Sequence, residues 1–362
     1  MKVLTVFGTR PEVIRLSQTI RCLDGLCTHL LLHTGQNYDP QLSNIFFSEL
    51  GVRSPDLHLG IRAATFADQV GALFSAGDAV LAEHRPDRLL ILGDTNSGLL
   101  AIAAARRGIP VFHLEAGNRC YDDRVPEEIN RRVIDHTSTV LLPYTHRSME
   151  NLVAEGVPRR RIYVVGNPIF EVMQAHASEI AASNILARLG LAPQEYFAAT
   201  LHRSENVDQP DRLRDMIQGL SLVANHYGAP LVVSVHPRTA DKLQRFNLAP
   251  QSANVRLLPP MGFFDFVHLE QHARGVLTDS GTVQEECCIL GIPSVTIRDV
   301  TERPEAVEAG SSILSGGDPA NILHAMQVAL GTPSDWQPPR EYLQPLVSRT
   351  VAKIVLGFRW TG

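Results

Sequence analysis

The sequence predicts an α/β protein built on two doubly wound parallel sheets. Three observations carry that prediction. The short apolar runs are continuous rather than alternating, as in strands buried on both faces. Amphipathic stretches lie between most of them, the signature of βαβ units. The alternation pauses once, near residue 168, and then restarts.

In the first half the strand candidates are VLTVF (3–7), HLLLH (29–33), RLLILG (88–93), PVFHLE (110–115), TVLLP (139–143) and RIYVVG (161–166). A long helical stretch over 167–190 separates the halves. Strand candidates resume with YFAATLH (196–202), APLVVSVH (229–236), VRLLP (255–259), GVLTDSG (275–281) and PSVTI (293–297). The expected division is a first domain over 1–168, a second over 169–340, and a helical segment over 341–362 that can pack back on the first.

Composition narrows the function classes. The 362 residues are 44% hydrophobic and 20% charged, with a net charge of −5. A nucleic-acid partner calls for a basic stripe, and the chain has none. No apolar run approaches the roughly 18 residues of a membrane span. The N-terminus, MKVLTVFGTR, reads as a first strand rather than a leader. Cys22, Cys27, Cys120, Cys287 and Cys288 form no CxxC and no zinc spacing, which implies free thiols in a reducing cytoplasm. Histidines 33, 113, 136, 202 and 236 lack an H-x-x-x-H spacing, so no metal is expected.

The polar motifs directly follow strands, where open α/β sheets bind ligands. Gly8-Thr9-Arg10-Pro11-Glu12 turns from strand into helix, and a helix start with an arginine favours an anion. No GxGxxG occurs, so a nicotinamide cofactor has no local support. Asp279-Ser280-Gly281-Thr282 opens a second helix suited to a phosphate, with Glu286 one turn further for ribose hydroxyls. Its structural alternative is a capping box between Thr282 and Glu285. His202, after another strand, suits a proton donor or a phosphate ligand, and Arg203 beside it suits a diphosphate.

Asp94, Glu115 and Glu127 lie in or just after strand–helix loops of the first half. Carboxylates gathered at strand ends are costly as scaffold and suited to proton transfer. For Glu127 and Glu128 the plain alternative is surface ion pairs at i,i+4 with Arg131 and Arg132.

These motifs together resemble the non-hydrolysing UDP-N-acetylglucosamine 2-epimerases. The similarity runs in order through GTRPE (8–12), TGQNYD (34–39), GDT (93–95), LEAGNR (114–119), PEEINRR (126–132), GNP (166–168), HRSEN (202–206), VHPR (235–238), DSGTVQEE (279–286) and RDVTERPEAVEAG (298–310). The resemblance implies two Rossmann-like domains with parallel sheets facing a central cleft, the glycosyltransferase-B arrangement, as a cytoplasmic homodimer. It also implies anti elimination of UDP from a UDP-N-acetylhexosamine, a bound glycal, and re-addition with inversion at C2, without cofactor or metal.

By position, Asp94, Glu115, Glu127 and His202 match the family's catalytic residues. Arg10, Arg15, Arg203, His236, Ser280, Gly281, Thr282, Glu286 and Arg303 match its substrate-binding positions. Arg15 stands where familiar members carry lysine, Ser204 follows HR where most have a charged residue, and TGQNYDPQL departs from TGQH-x-x-M. TGQNYD, EAGNRCYDDR and HRSENVD are closer to the branch acting on modified sugars. Other outcomes from such a site are hydrolysis, glycosyl transfer, or UDP-sugar binding without turnover.

Overall fold

The computed structural model describes residues 1–36, 47–63 and 65–359. Among them, two sheets of six parallel strands form, each in its own unit. The first unit comprises Met1–Ala175 and Arg340–Gly362, and the second His176–Pro339.

The first sheet contains β1 (Lys2–Phe7), β2 (Thr28–His33), β3 (Leu57–His58), β4 (Arg88–Leu92), β5 (Val111–Leu114) and β6 (Val140–Leu142), in the order β3-β2-β1-β4-β5-β6. Residues Val3–Phe7 are all buried, as a central strand covered on both faces requires. One core cluster packs Leu4, Val6, Ile91 and Val111 against Leu100 and Ile134 of the helices Leu100–Arg106 and Pro126–Thr137. Burying each such side chain stabilises the unit by about 1.5–3 kcal/mol.

The second sheet contains β7 (Phe197–Leu201), β8 (Leu231–Val235), β9 (Val255–Leu258), β10 (Gly275–Thr278), β11 (Ser294–Thr296) and β12 (Ser312–Leu314), in the order β12-β11-β10-β7-β8-β9. In each sheet the strand order reverses beside the first strand of that unit, between β1 and β4 and between β7 and β10. Such switch points open a crevice at the strands' carboxyl ends. Gly8 and Gly93 flank the first, and His202 and Asp279 the second.

Two expectations need correction. RIYVVG is not a sheet strand: Ile162 forms an isolated bridge with Leu141, and Tyr163 is partly exposed. It lies at the sheet edge, with a 3₁₀ turn over Arg159–Arg161 before it and Gly166 in the left-handed region after it. The short edge strands β3 and β12 complete the sheets instead.

The stretch 167–190 is three short helices, Pro168–Ala175, Ala177–Ala181 and Ile185–Leu189, and the unit boundary falls between the first two. The Ser183 hydroxyl bonds Asp265 at 2.5 Å and accepts from the Ile185 amide at 3.2 Å, a local competition that ends a helix.

The C-terminal helix, Val347–Gly357, packs against the helices Arg10–Asp24 and Pro168–Ala175. Glu171 accepts from the Ser348 amide and hydroxyl at 2.8 and 2.6 Å. No helix of the described residues is long and apolar enough to cross a membrane.

Candidate active site

The first unit gathers its carboxylates where β4 and β5 end. Glu115 follows β5 and holds its backbone at φ +72°, an uncommon conformation for a residue with a side chain. Non-glycine strain of this kind concentrates at functional sites. The Glu115 carboxylate is buried, ion-paired with the buried Arg15 guanidinium, and accepts from the Tyr144 hydroxyl at 3.0 Å. Arg15 also lies over the Tyr144 ring, 5.6 Å from its centroid. The planar arginine fork thus pairs with the carboxylate and covers the ring at once, at the position where a lysine would offer a point charge.

Gly93, at φ +70°, brings the Asp94 loop against this group: a β-carbon at residue 93 would sit 3.7 Å from Glu115 Oε1. The half-buried Asp94 side chain accepts from Arg131 Nε at 2.8 Å, and its carbonyl accepts from Asn130 Nδ2 at 2.9 Å. Glu127 is half-buried in the first turn of the helix Pro126–Thr137, one turn before Arg131 and so on the same helical face.

Arg131 does not lie at the surface, where the i,i+4 alternative placed it. Its guanidinium is buried, spanning Asp94 and Glu128, the latter at 2.6 Å. Glu128, whose partner was expected to be Arg132 at the surface, is fully buried and does more. Besides Arg132 at 3.3 Å, it accepts from the amides of Cys120 and Tyr121 at 3.0 and 3.1 Å and so pins the charged loop to the helix start. Burial would raise its pKa, but those amides and Arg131 hold it below the usual carboxylate range. The glutamate-rich helix start signalled it, yet its role depends on backbone amides that sequence does not locate.

Arg10 is half-buried at the start of the helix Arg10–Asp24. Glu12, two residues on, accepts from the Gly8 and Thr9 amides at 3.0 and 2.8 Å, from the Thr9 hydroxyl at 2.8 Å and from the Thr95 hydroxyl at 3.1 Å. It ties the loop after β1 to the loop after β4. Burial, only partly offset by these bonds, raises its pKa to about 7.

The second unit presents donors. Asp279 is fully buried and accepts from the amides of His202, at 3.1 and 3.0 Å, and Arg203, at 2.9 Å, and from Asn206 Nδ2 at 3.2 Å. His202 Nδ1 lies 3.2 Å from it. Burial opposes the charge, but the His202 charge and these bonds hold the Asp279 pKa at about 2. His202 and Arg203 are thereby fixed by backbone as well as side chain. Arg203 meets Glu302 at 3.0 Å, and the His202 ring stands 6.4 Å from that of His236. His236 caps its own helix, accepting from the Arg238 amide at 3.2 Å.

Ser280 is the N-cap of the helix Gly281–Leu290, with no side-chain capping bond, so the Thr282–Glu285 capping box is replaced by another arrangement. Glu285 is fully buried and meets Arg303 Nε at 2.5 Å, because Arg303 is folded in behind Gly281. A β-carbon at Gly281 would come within 2.7 Å of Glu302 Oε1, so the loop admits glycine there. Thr282 is half-buried, and Glu286 is buried beside the fully buried Glu270, whose pKa is raised by burial and by Glu286.

Cys22, Cys27, Cys120, Cys287 and Cys288 are free, and the last two are buried on the Gly281–Leu290 helix. Of TGQNYDPQL, residues 37–42 lie outside the described residues.

The family model for UDP-N-acetylglucosamine 2-epimerase matches residues 24–356. The chain is 38% identical to a UDP-N-acetylglucosamine 2-epimerase of Methanocaldococcus jannaschii over 349 residues, covering 94% of this chain and 95% of that protein. It is 37% identical to a UDP-2,3-diacetamido-2,3-dideoxy-D-glucuronate 2-epimerase of Pseudomonas aeruginosa, covering 91% and 93%. The crystal structure of the M. jannaschii enzyme in complex with UDP-GlcNAc and UDP matches with a TM-score of 0.94 at 36% identity, over 99% of this chain and 100% of that one. With a family model and full-length relatives agreeing on one reaction class, the chain belongs to the UDP-N-acetylglucosamine 2-epimerase family.

Proposed function

We propose that this enzyme inverts C2 of a UDP-N-acetylhexosamine without net hydrolysis. The observation that carries the reading is the grouping of Glu115, Asp94, Arg15 and Tyr144 at the ends of β4 and β5, with Glu127 on the adjoining helix. In the proposed reaction a carboxylate of this group takes the proton from C2. The C1–O bond breaks, the electron pair leaves with UDP, and a C1=C2 glycal remains. UDP oxygen then re-forms the bond to C1 while C2 is protonated on its opposite face, and no oxidant or reductant is consumed. General acid–base groups typically supply about 10²–10⁴-fold in such steps.

His202 and Arg203 serve the departing diphosphate in this reading, the amides after Ser280 hold phosphate, and Glu286 accepts from ribose. Support comes from the open helix start at Ser280 and from the bonds that fix His202 and Arg203 on Asp279. His236, Thr282 and Arg303 belong to the same nucleotide side, Arg303 by shaping the loop through Glu285. Arg10 adds charge at the first helix start. The resemblance extends the proposal to a cytoplasmic homodimer.

The test is incubation with UDP-GlcNAc and with UDP-diacetamido-glucuronate in D₂O, followed by NMR. Deuterium at C2 of both epimers of one recovered UDP-sugar is the expected result. Turnover without deuterium would refute the mechanism. Free UDP rising in step with free sugar would mark a hydrolase, and binding without exchange a silent binder.

A further inference from the structure

His113 is the penultimate residue of β5, two before Glu115, and is 1% exposed. Its strand neighbours in register are Ile91 and Leu141, so the sheet offers it no charge. Its two ring nitrogens each meet an oxygen at 2.8 Å: Nδ1 the Asp135 carboxylate and Nε2 the Gly93 carbonyl. A carbonyl only accepts. Asp135 Oδ2 is already occupied, by the Gly117 amide at 3.1 Å and Arg119 Nη1 at 2.8 Å, as an ionised carboxylate would be. With acceptors on both sides, a neutral ring could satisfy one bond and leave the other unmade, a costly state at full burial.

Charge balance points the same way. Asp135 and Glu155 are two carboxylates. Arg119 serves both, with Glu155 held bidentate at 2.7 Å. His136, half exposed, reaches Glu155 only at 3.4 Å. With the partly exposed Glu155 counted in, a charged His113 makes this cluster of two carboxylates and two cations neutral.

We propose that His113 is held as an imidazolium in the folded protein and is a positioning residue for the catalytic carboxylates. Its bond to Gly93 fixes the residue before Asp94. Its bond to Asp135 fixes the acceptor of the Gly117 amide, which closes the turn in which Glu115 adopts its left-handed backbone. The ionised state of Asp135 has further support: burial would raise its pKa, but His113 and Arg119 hold it below the usual carboxylate range. The positioning role rests on the epimerase reading above; the protonation state does not.

Histidine-selective ¹⁵N NMR on the full chain at neutral pH tests the charge. The His113 signals are identified by their loss in His113→Gln and, independently, by nuclear Overhauser contacts to Ile91 and Leu141. Both nitrogens in the protonated range, with two slowly exchanging N–H protons, is the expected result. One N–H with Nδ1 in the unprotonated range would overturn the imidazolium, placing the proton on Asp135.

Kinetics test the positioning. His113→Gln should lower kcat for C2 exchange about 10²-fold, the scale of a small misplacement of reacting groups, with KM unchanged. Lower thermal stability with wild-type kcat would refute the role. If the unmodified enzyme exchanges no deuterium, the epimerase reading fails while the NMR result still decides the charge.

Discussion

Two buried carboxylates that bind the loops after strands, one in each unit, behave in opposite ways. Glu12 of the first unit accepts from two amides and two hydroxyls, and its pKa rises to about 7. Asp279 of the second also accepts from backbone amides, and its pKa falls to about 2. Both are fully withdrawn from water. The difference is a positive neighbour: His202 stands beside Asp279, whereas hydroxyls stand beside Glu12. Neutral donors offset burial only in part, and a nearby charge reverses it. The proposed reaction divides its chemistry between the two units along that line. The first collects carboxylates at its switch point, and the second turns its carboxylate inward and presents histidine, arginine and amides.

The largest expected effect tests this division directly. Glu115→Gln or Glu127→Gln should reduce C2 deuterium exchange by about 10²–10⁴-fold, with UDP affinity by calorimetry unchanged. A parallel loss of UDP affinity would show that the units do not split the work in this way.

Glu12→Gln sharpens the contrast in pKa. A carboxyl whose folded pKa is raised favours folding below its unfolded value near 4.5, and that contribution is lost as pH rises through about 7. A carboxamide at the same place keeps acceptor and donor roles without charge. The variant should gain up to about 3 kcal/mol over the parent at about pH 8 and nothing at about pH 4. Parallel denaturation curves across that range would remove the contrast.

Asp279→Asn has the opposite sign. A depressed carboxyl contributes stability above its unfolded value near 3.8, and the contribution is lost as pH falls through about 2. The variant should lose about 2 kcal/mol at neutral pH, and the gap should narrow on acidification below about pH 4. Urea titration at several pH values measures both. The smallest effect is on the nucleotide side: Arg203→Ala should weaken UDP about tenfold, as expected for one hydrogen bond to a charged group.

Legibility in the sequence followed distance along the chain. Asp94, Glu115, His202 and Asp279 could be found because each ends or directly follows an apolar run. Five of the six strands of the second sheet were readable for the same reason, and the short edge strand β12 was not. The partners of these residues were not. Tyr144 reaches Glu115 from 29 residues away, and Asp135 reaches His113 from 22. Glu285 looked like a capping residue because Thr282 has the right spacing, yet Arg303, 18 positions on, makes a buried ion pair with it instead. RIYVVG read as a strand because apolar continuity is the same for a sheet strand and for an edge segment that bridges at one point.

The sequence by itself determined the longer strands and their order, and it placed the candidate site residues at their ends, because burial on two faces demands continuous apolar strands and leaves polar residues to the loops. It also carried the family through motifs spread over most of the chain. Only the tertiary structure decided the state of each reactive group. Whether a buried carboxylate sits near pH 7 or near pH 2, and whether a buried ring carries one proton or two, depends on which donors and charges the fold brings within about 3 Å. The deciding neighbours come from distant loops and helices, as Thr95 does for Glu12, His202 for Asp279 and Asp135 for His113, so their identity is fixed by packing and not by spacing along the chain.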